Sequence, residues 1–306
     1  MTNFFIRTGS LLSLAFLTLA CEQEPIVDTI AMATPEAIYA DLPTPGGKLG
    51  KSADGIRYEV VKAEYITAGD SDEMGNTVFF NNRGNKQLDY DFAPGLSGDG
   101  TDAISYYIDE ARPSQDVPSE LSSAAIGRAM DTWDEATCSD LGMFRIASDG
   151  RPTGFVSNLL GYGGSYEYVA DVVHNGWMPA SFFQQLFGNS GRSVLGVTFT
   201  LVAVDAQGDL VDINNDRKPD VAWREIYYND RFNWATSIDI ETVALHEAGH
   251  GLSQGHFGKA FRKESTGKVQ FSPRAIMNAA YSGLQTEVDG TDNAGHCSIW
   301  GNWPNK

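Results

Sequence analysis

Three of the five histidines in this 306-residue chain fall within eleven consecutive residues, His246-Glu247-Ala248-Gly249-His250-Gly251-Leu252-Ser253-Gln254-Gly255-His256, and this segment constrains the fold more than any other. Residues four apart on an α-helix lie one above the other, so His246 and His250 can offer imidazoles to a single ion from one rigid element. Glu247 sits one position along, outside the coordination shell but within reach of a water beside the ion, where a general base belongs. The glycine-containing break after Leu252 lets the chain turn and bring His256 back as a third ligand. Three neutral nitrogens leave one of the four positions of zinc for water, the open arrangement of a catalytic site, and imidazole donors favour zinc over harder ions. One catalytic Zn²⁺ is therefore expected. A downstream carboxylate such as Glu264 or Glu287 is an alternative third ligand, which His256 makes unnecessary.

The rest of the chain supplies the frame for such a helix. Asp239 is a good N-cap with Glu241 in the first turn, so the histidine helix is expected from about Asp239 to Leu252. Ser119 to Cys138 carries Leu121, Ala125, Ile126, Ala129, Met130 and Trp133 at helical spacing, which predicts a second long amphipathic helix. Ile104–Ile108, Val169–Val173, Ser193–Val204 and Asp220–Tyr228 are rich in Val, Ile, Phe, Thr or Tyr and separated by glycine-containing loops, so they read as strands. Tyr58–Ile66 and Thr77–Phe80 also alternate, as strands of unassigned role. Strands that precede and enclose two long helices imply an α+β domain built on a mixed sheet.

Near the end, Ala275-Ile276-Met277-Asn278 follows His256 by some twenty residues. With the extended histidine motif this resembles the metzincins, and within them the matrixins, zinc peptidases of the matrix metalloprotease type. The resemblance implies a twisted mixed β-sheet with two long helices, an active-site cleft and a small C-terminal subdomain ending in a helix. It also implies Met277 as the Met-turn residue beneath the histidines, and Tyr281 as a wall of the pocket for the side chain after the scissile bond. Asp292 to Gly301 matches the start and body of the C-terminal helix. An extended polypeptide substrate would pair with Ser193–Thr200 as the edge strand of the cleft, and the reaction would be hydrolysis of internal peptide bonds with Glu247 as base. The likeness covers about residues 103–301 and is specific from 239 to 281. Two departures stand out. Metzincins usually carry Gly at the position of Ser253, where a positive φ costs a non-Gly residue about 1 kcal/mol. His174 and His296 cannot rebuild a second, three-histidine structural site, and neither Cys138 nor Cys297 lies in a prosegment, so a cysteine-based latency switch is unsupported. The competing reading is a surface-anchored binding protein that keeps the scaffold without turnover.

Asp212-Ile213-Asn214-Asn215-Asp216-Arg217-Lys218-Pro219-Asp220 sets oxygen-bearing side chains Asp212, Asn214, Asp216 and Asp220 at alternating positions that suit a structural Ca²⁺, or simply a solvated acidic turn. Forty acidic against twenty-two basic residues, net charge -18, repels phosphate backbones and makes nucleic acid a poor partner. Arg7, the apolar run Leu11–Leu19 and small Ala20 ahead of Cys21 form an export signal. Leu17-Thr18-Leu19-Ala20-Cys21 resembles a bacterial lipobox, which implies lipidation of Cys21 and a membrane-anchored lipoprotein facing the periplasm or the cell surface; an ordinary signal peptide is the alternative. With Cys21 spent, Cys138 and Cys297 remain, as a disulfide or as two buried thiols. The expected organisation is thus a signal peptide at 1–20, a lipid-anchored Pro/Gly-rich linker at 21–55, an N-terminal extension at 56–102 and the catalytic domain at 103–306.

Overall fold

The computed structural model describes residues 29–43, 57–80, 89–95 and 97–305; Cys21 and the signal segment lie outside them. Four strands open the described chain: β1 (Thr29–Ala31), β2 (Ile38–Ala40), β3 (Arg57–Thr67) and β4 (Asn76–Phe80). They lead to β5 (Ile104–Ile108), α1 (Ser119–Asp134), β6 (Met143–Ile146), α2 (Phe155–Leu159), β7 (Val172–Met178) and α3 (Ala180–Phe187). Next come β8 (Val194–Val204), β9 (Val221–Asn229), α4 (Ile240–Gly251), the hairpin β10 (Lys259–Lys263) and β11 (Val269–Ser272), and α5 (Gly290–Trp300).

Eight strands make one mixed sheet in the order β2-β4-β3-β8-β9-β7-β5-β6. β6, β5, β7 and β9 are mutually parallel where they pair, β8 is antiparallel to β9, and β3 is antiparallel to both β8 and β4. A smaller antiparallel sheet, β1-β10-β11, carries the chain between α4 and the C-terminal segment.

The central strands are apolar on both sides because both faces are covered. Adjacent residues go to opposite cores: Tyr106, Val172 and Tyr228 belong to the cluster that takes in α1 and α4, while Tyr107, Val173 and Tyr227 join the cluster with Phe155, Phe182 and Phe183 of α2 and α3. The period-two alternation of a strand thus feeds two layers. α1 and α4 are locked to each other by Trp133, whose indole N–H donates to the Leu245 carbonyl at 2.8 Å, and by the Arg128–Glu241 ion pair. Cys138, just past α1, is joined by a disulfide to Cys297 of α5, with the Cα atoms 5.6 Å apart. The Trp300 indole of α5 donates to the Leu252 carbonyl at the end of α4 at 2.9 Å. The C-terminal helix therefore braces the same helix end that carries the histidines.

Two sequence expectations need correction. Ser193–Thr200 is not an edge: β8 is flanked on one side by β9 and on the other by β3, because the alternating apolar stretch at 57–67 has found a full-length partner there. The strand expected at Val169–Val173 begins at Val172 and continues to Met178, through a bulge between His174 and Trp177 where Gly176 adopts a φ of 78°. Among the described residues no helix is long and apolar enough to cross a membrane.

Candidate metal centre

α4 begins where the Asp239 carboxylate accepts from the Thr242 N–H at 2.7 Å, and it places His246 and His250 on one buried face. The chain then reverses over Ser253, which takes a φ of 70°. The conformation is one that L-residues other than Asn and Asp seldom adopt, and here it is held by a buried cation. Arg224 of β9 donates one guanidinium nitrogen to the His250 carbonyl and another to the Ser253 hydroxyl at 3.0 Å. With the turn fixed in this way, His256 comes back over the helix.

The Nε2 atom of His256 lies 3.2 Å from that of His246 and 3.1 Å from that of His250. The other ring nitrogens are engaged: Nδ1 of His246 donates to the Ile276 carbonyl at 2.6 Å, and Nδ1 of His250 to the Gln254 carbonyl at 2.7 Å. A carbonyl can only accept, so both rings carry their proton on Nδ1 and turn a bare Nε2 lone pair inward. These two lone pairs face the Nε2 of His256, and a cation between the three rings would be held by all of them. Zinc–nitrogen bonds of about 2.0–2.1 Å in a tetrahedron set the nitrogens about 3.3 Å apart, close to the spacing of these rings. Burial and the neighbouring imidazoles depress the basicity of all three rings: His246 is lowered to about 3, and His250 and His256 fall well below their usual value. They are neutral at pH 7, as ligands must be. Among the described residues this is the one group of three or more His, Cys, Asp or Glu side chains close enough to share an ion.

Glu247 is fully buried. One carboxylate oxygen accepts from the Thr198 hydroxyl of β8 at 2.6 Å and the other from the Ile66 N–H of β3 at 3.3 Å. Burial raises its pKa well above the usual carboxylate value, opposed by those two hydrogen bonds. A nearby cation would pull it back down. Gly196 of β8 makes room for it, since a Cβ there would fall 2.8 Å from the Glu247 Cγ.

Met277 is buried beneath α4; a Cβ at Gly249 would lie 2.3 Å from its sulfur, so the glycine is what lets the helix settle onto the thioether. The turn carrying it is pinned by Asp292, whose carboxylate accepts from the Ile276 and Met277 N–H groups at 2.8 and 3.1 Å. Tyr281 is half-buried, and its hydroxyl accepts from the Asp239 N–H at 3.2 Å, tying this segment to the start of α4. A cavity of about 310 Å³ opens beside His256, walled by Glu64, Gly75, Asn76 and Thr77 from the β3–β4 hairpin and by Phe257.

Other sequence candidates do not join the site. Asp212, Asp216 and Asp220 do not gather as the histidines do. Their oxygens take backbone amides instead: Asp212 from Asp216 and Arg217, Asp216 from Lys218, and Asp220 from Ile213. Asn214 accepts from Asp216 N–H. These bonds close the loop on itself. His174 sits in the core with Nδ1 2.8 Å from the Tyr228 hydroxyl, and His296 stacks on Trp133. Thr198 and Arg224 were not marked by any motif, because each acts through a partner far along the chain, and Asp292, read only as the start of the C-terminal helix, was given no role at the site.

No protein-family model matches the chain, and no curated protein matches it.

Proposed function

We propose that the chain is a zinc-dependent endopeptidase of metzincin, matrixin-like type that hydrolyses internal bonds of extracellular or periplasmic proteins. The observation that carries this reading is the convergence of three neutral imidazoles, two with their tautomers fixed by carbonyls, with the buried carboxylate of Glu247 next to His246 in the chain. Zinc held by His246, His250 and His256 would supply a Lewis acid for the scissile carbonyl and bring a water's pKa toward about 7. Glu247 takes a proton from the attacking water and delivers it to the leaving amine, with the Thr198 hydroxyl orienting its carboxylate. Asp292 and Met277 keep the floor under the rings rigid. Glu247→Gln should keep one zinc per chain and lose peptide cleavage by about 10²–10⁴-fold; unchanged cleavage would refute the role of the base.

The disulfide and the N-terminal segment also fit an exported protein. A disulfide between Cys138 and Cys297 belongs to an oxidising compartment, and the segment ending at Cys21 supplies the export signal and the lipid attachment point.

One observation favours the non-catalytic reading. β3 lies along β8 where a substrate would pair, and its Ile66 N–H is on Glu247. Absence of cleavage by the parent chain and by every variant that frees the groove, across a broad peptide library, would support a binding protein.

A further inference from the structure

β3 runs antiparallel to β8, with Glu64 opposite Thr198, Tyr65 opposite Val197 and Ile66 opposite Gly196. At its end the backbone is gripped from both sides. The Ala68 N–H donates to the Ser193 carbonyl at 2.8 Å on the β8 side, while the Tyr281 N–H donates to the Thr67 carbonyl at 2.8 Å from the other, and Thr67 bridges Ala280 in parallel. An extended segment threaded between an antiparallel strand and a parallel one is bound as a peptide ligand is bound, by its main chain.

The register follows from Glu247. A base that hands its proton to the leaving amine must face the nitrogen of the bond being broken. The nitrogen facing Glu247 is that of Ile66, at 3.3 Å, so the bond in register with the base is Tyr65–Ile66. The Ile66 side chain is 2% exposed and belongs to the apolar cluster containing Ile240, Val243 and Ile276, against which Tyr281 packs. A charged side chain in that position would be desolvated among hydrocarbon. On the outer flank β4 closes over the segment: Asn76 pairs with Tyr65, and a Cβ at Gly75 would fall 2.1 Å from the Tyr65 carbonyl oxygen.

We propose that Lys62–Gly69 is a built-in occupant of the peptide groove, which opens to another extended segment only when this one withdraws. The proposal rests on the peptidase reading for the identity of the groove, but its occupancy can be tested without turnover.

The test uses the full chain loaded with zinc, as the parent, as Ile66→Pro and as Gly69→Ala. Ile66→Pro deletes the N–H that faces Glu247 and breaks the ladder. Gly69→Ala sets a Cβ 2.0 Å from the Tyr281 carbonyl oxygen and loosens the exit of the segment. The probe is a fluorescein-labelled octapeptide with the sequence of Lys62–Gly69, beside a copy carrying Ile66→Asp. Both variants should bind the probe at least tenfold more tightly than the parent, and the aspartate copy at least tenfold more weakly. Equal binding by the parent and a folded variant, or equal binding of the two peptides, would overturn the proposal. Should neither variant fold, hydrogen exchange on the parent decides: excess probe should raise exchange at Tyr65–Ala68 at least threefold, and no rise would overturn it. Cleavage of the probe is read separately. Tight binding by the opened variants without cleavage removes the peptidase reading and leaves the occupancy standing; equal cleavage by parent and variants does the reverse.

Discussion

Ser253 offers the sharpest test of how the turn to His256 is held, because two effects oppose each other there. Replacing it with Gly relieves the positive φ of 70°, a gain of about 1 kcal/mol. The same change removes the acceptor that lies 3.0 Å from a guanidinium nitrogen of Arg224, and a hydrogen bond to a charged group is worth about 1.5–3 kcal/mol. Arg224 is completely buried and its Nε has no partner, and the nitrogen that meets Ser253 has besides it only a longer bond to the Tyr90 carbonyl at 3.3 Å. The hydrogen bond wins. Ser253→Gly should lower stability by about 0.5–2 kcal/mol, and Ser253→Ala, which keeps the strain and loses the bond, by about 1 kcal/mol more. Urea unfolding of the metal-free proteins gives both numbers, and zinc titration of the same samples should show weaker binding in the same order. If Ser253→Gly proves more stable than the parent, the claim that Arg224 holds this turn is wrong.

Two further outcomes follow from the structure. His174, buried and lowered to about 3, binds more protons unfolded than folded between that value and about 6.5. Its contribution is present above pH 6.5 and lost as pH falls, by about 2 kcal/mol at pH 5, so His174→Gln should flatten the stability–pH slope between pH 7 and 5; an unaltered slope would exclude this histidine as the cause. Labelling of the expressed protein with radioactive palmitate should be abolished by Cys21→Ser, and label retained in that variant would remove the lipid anchor.

Much of the frame around the histidines was legible because its signals are local. The Asp239 cap, the i, i+4 histidines and the break after Leu252 are read within one element, and α4 spans Ile240–Gly251 accordingly. Ile104–Ile108 forms the strand its Ile- and Tyr-rich run predicts. α3 was not anticipated: Ala180–Phe187 is eight residues long, too short for helical periodicity to stand out. Tyr58–Ile66 was readable as a strand, yet nothing in its alternation names β8 as its partner, since pairing is decided by which long-range edge is free. The same holds for Arg224, which reads as an ordinary charged residue in a strand until the chain folds it against the His250 carbonyl. The acidic loop at 212–220 reads as either a Ca²⁺ loop or a solvated turn. Its spacing was suggestive, but short Asp and Asn side chains satisfy their own backbone as readily as they bind an ion.

X-ray absorption at the zinc edge, on the purified full chain after zinc titration, addresses the three converging imidazoles most directly. One zinc per chain should appear with three nitrogen scatterers at about 2.0–2.1 Å and one oxygen, and His256→Ala should remove one of the nitrogens. A shell with two imidazoles in the parent, or zinc that binds equally well without His256, would contradict the account.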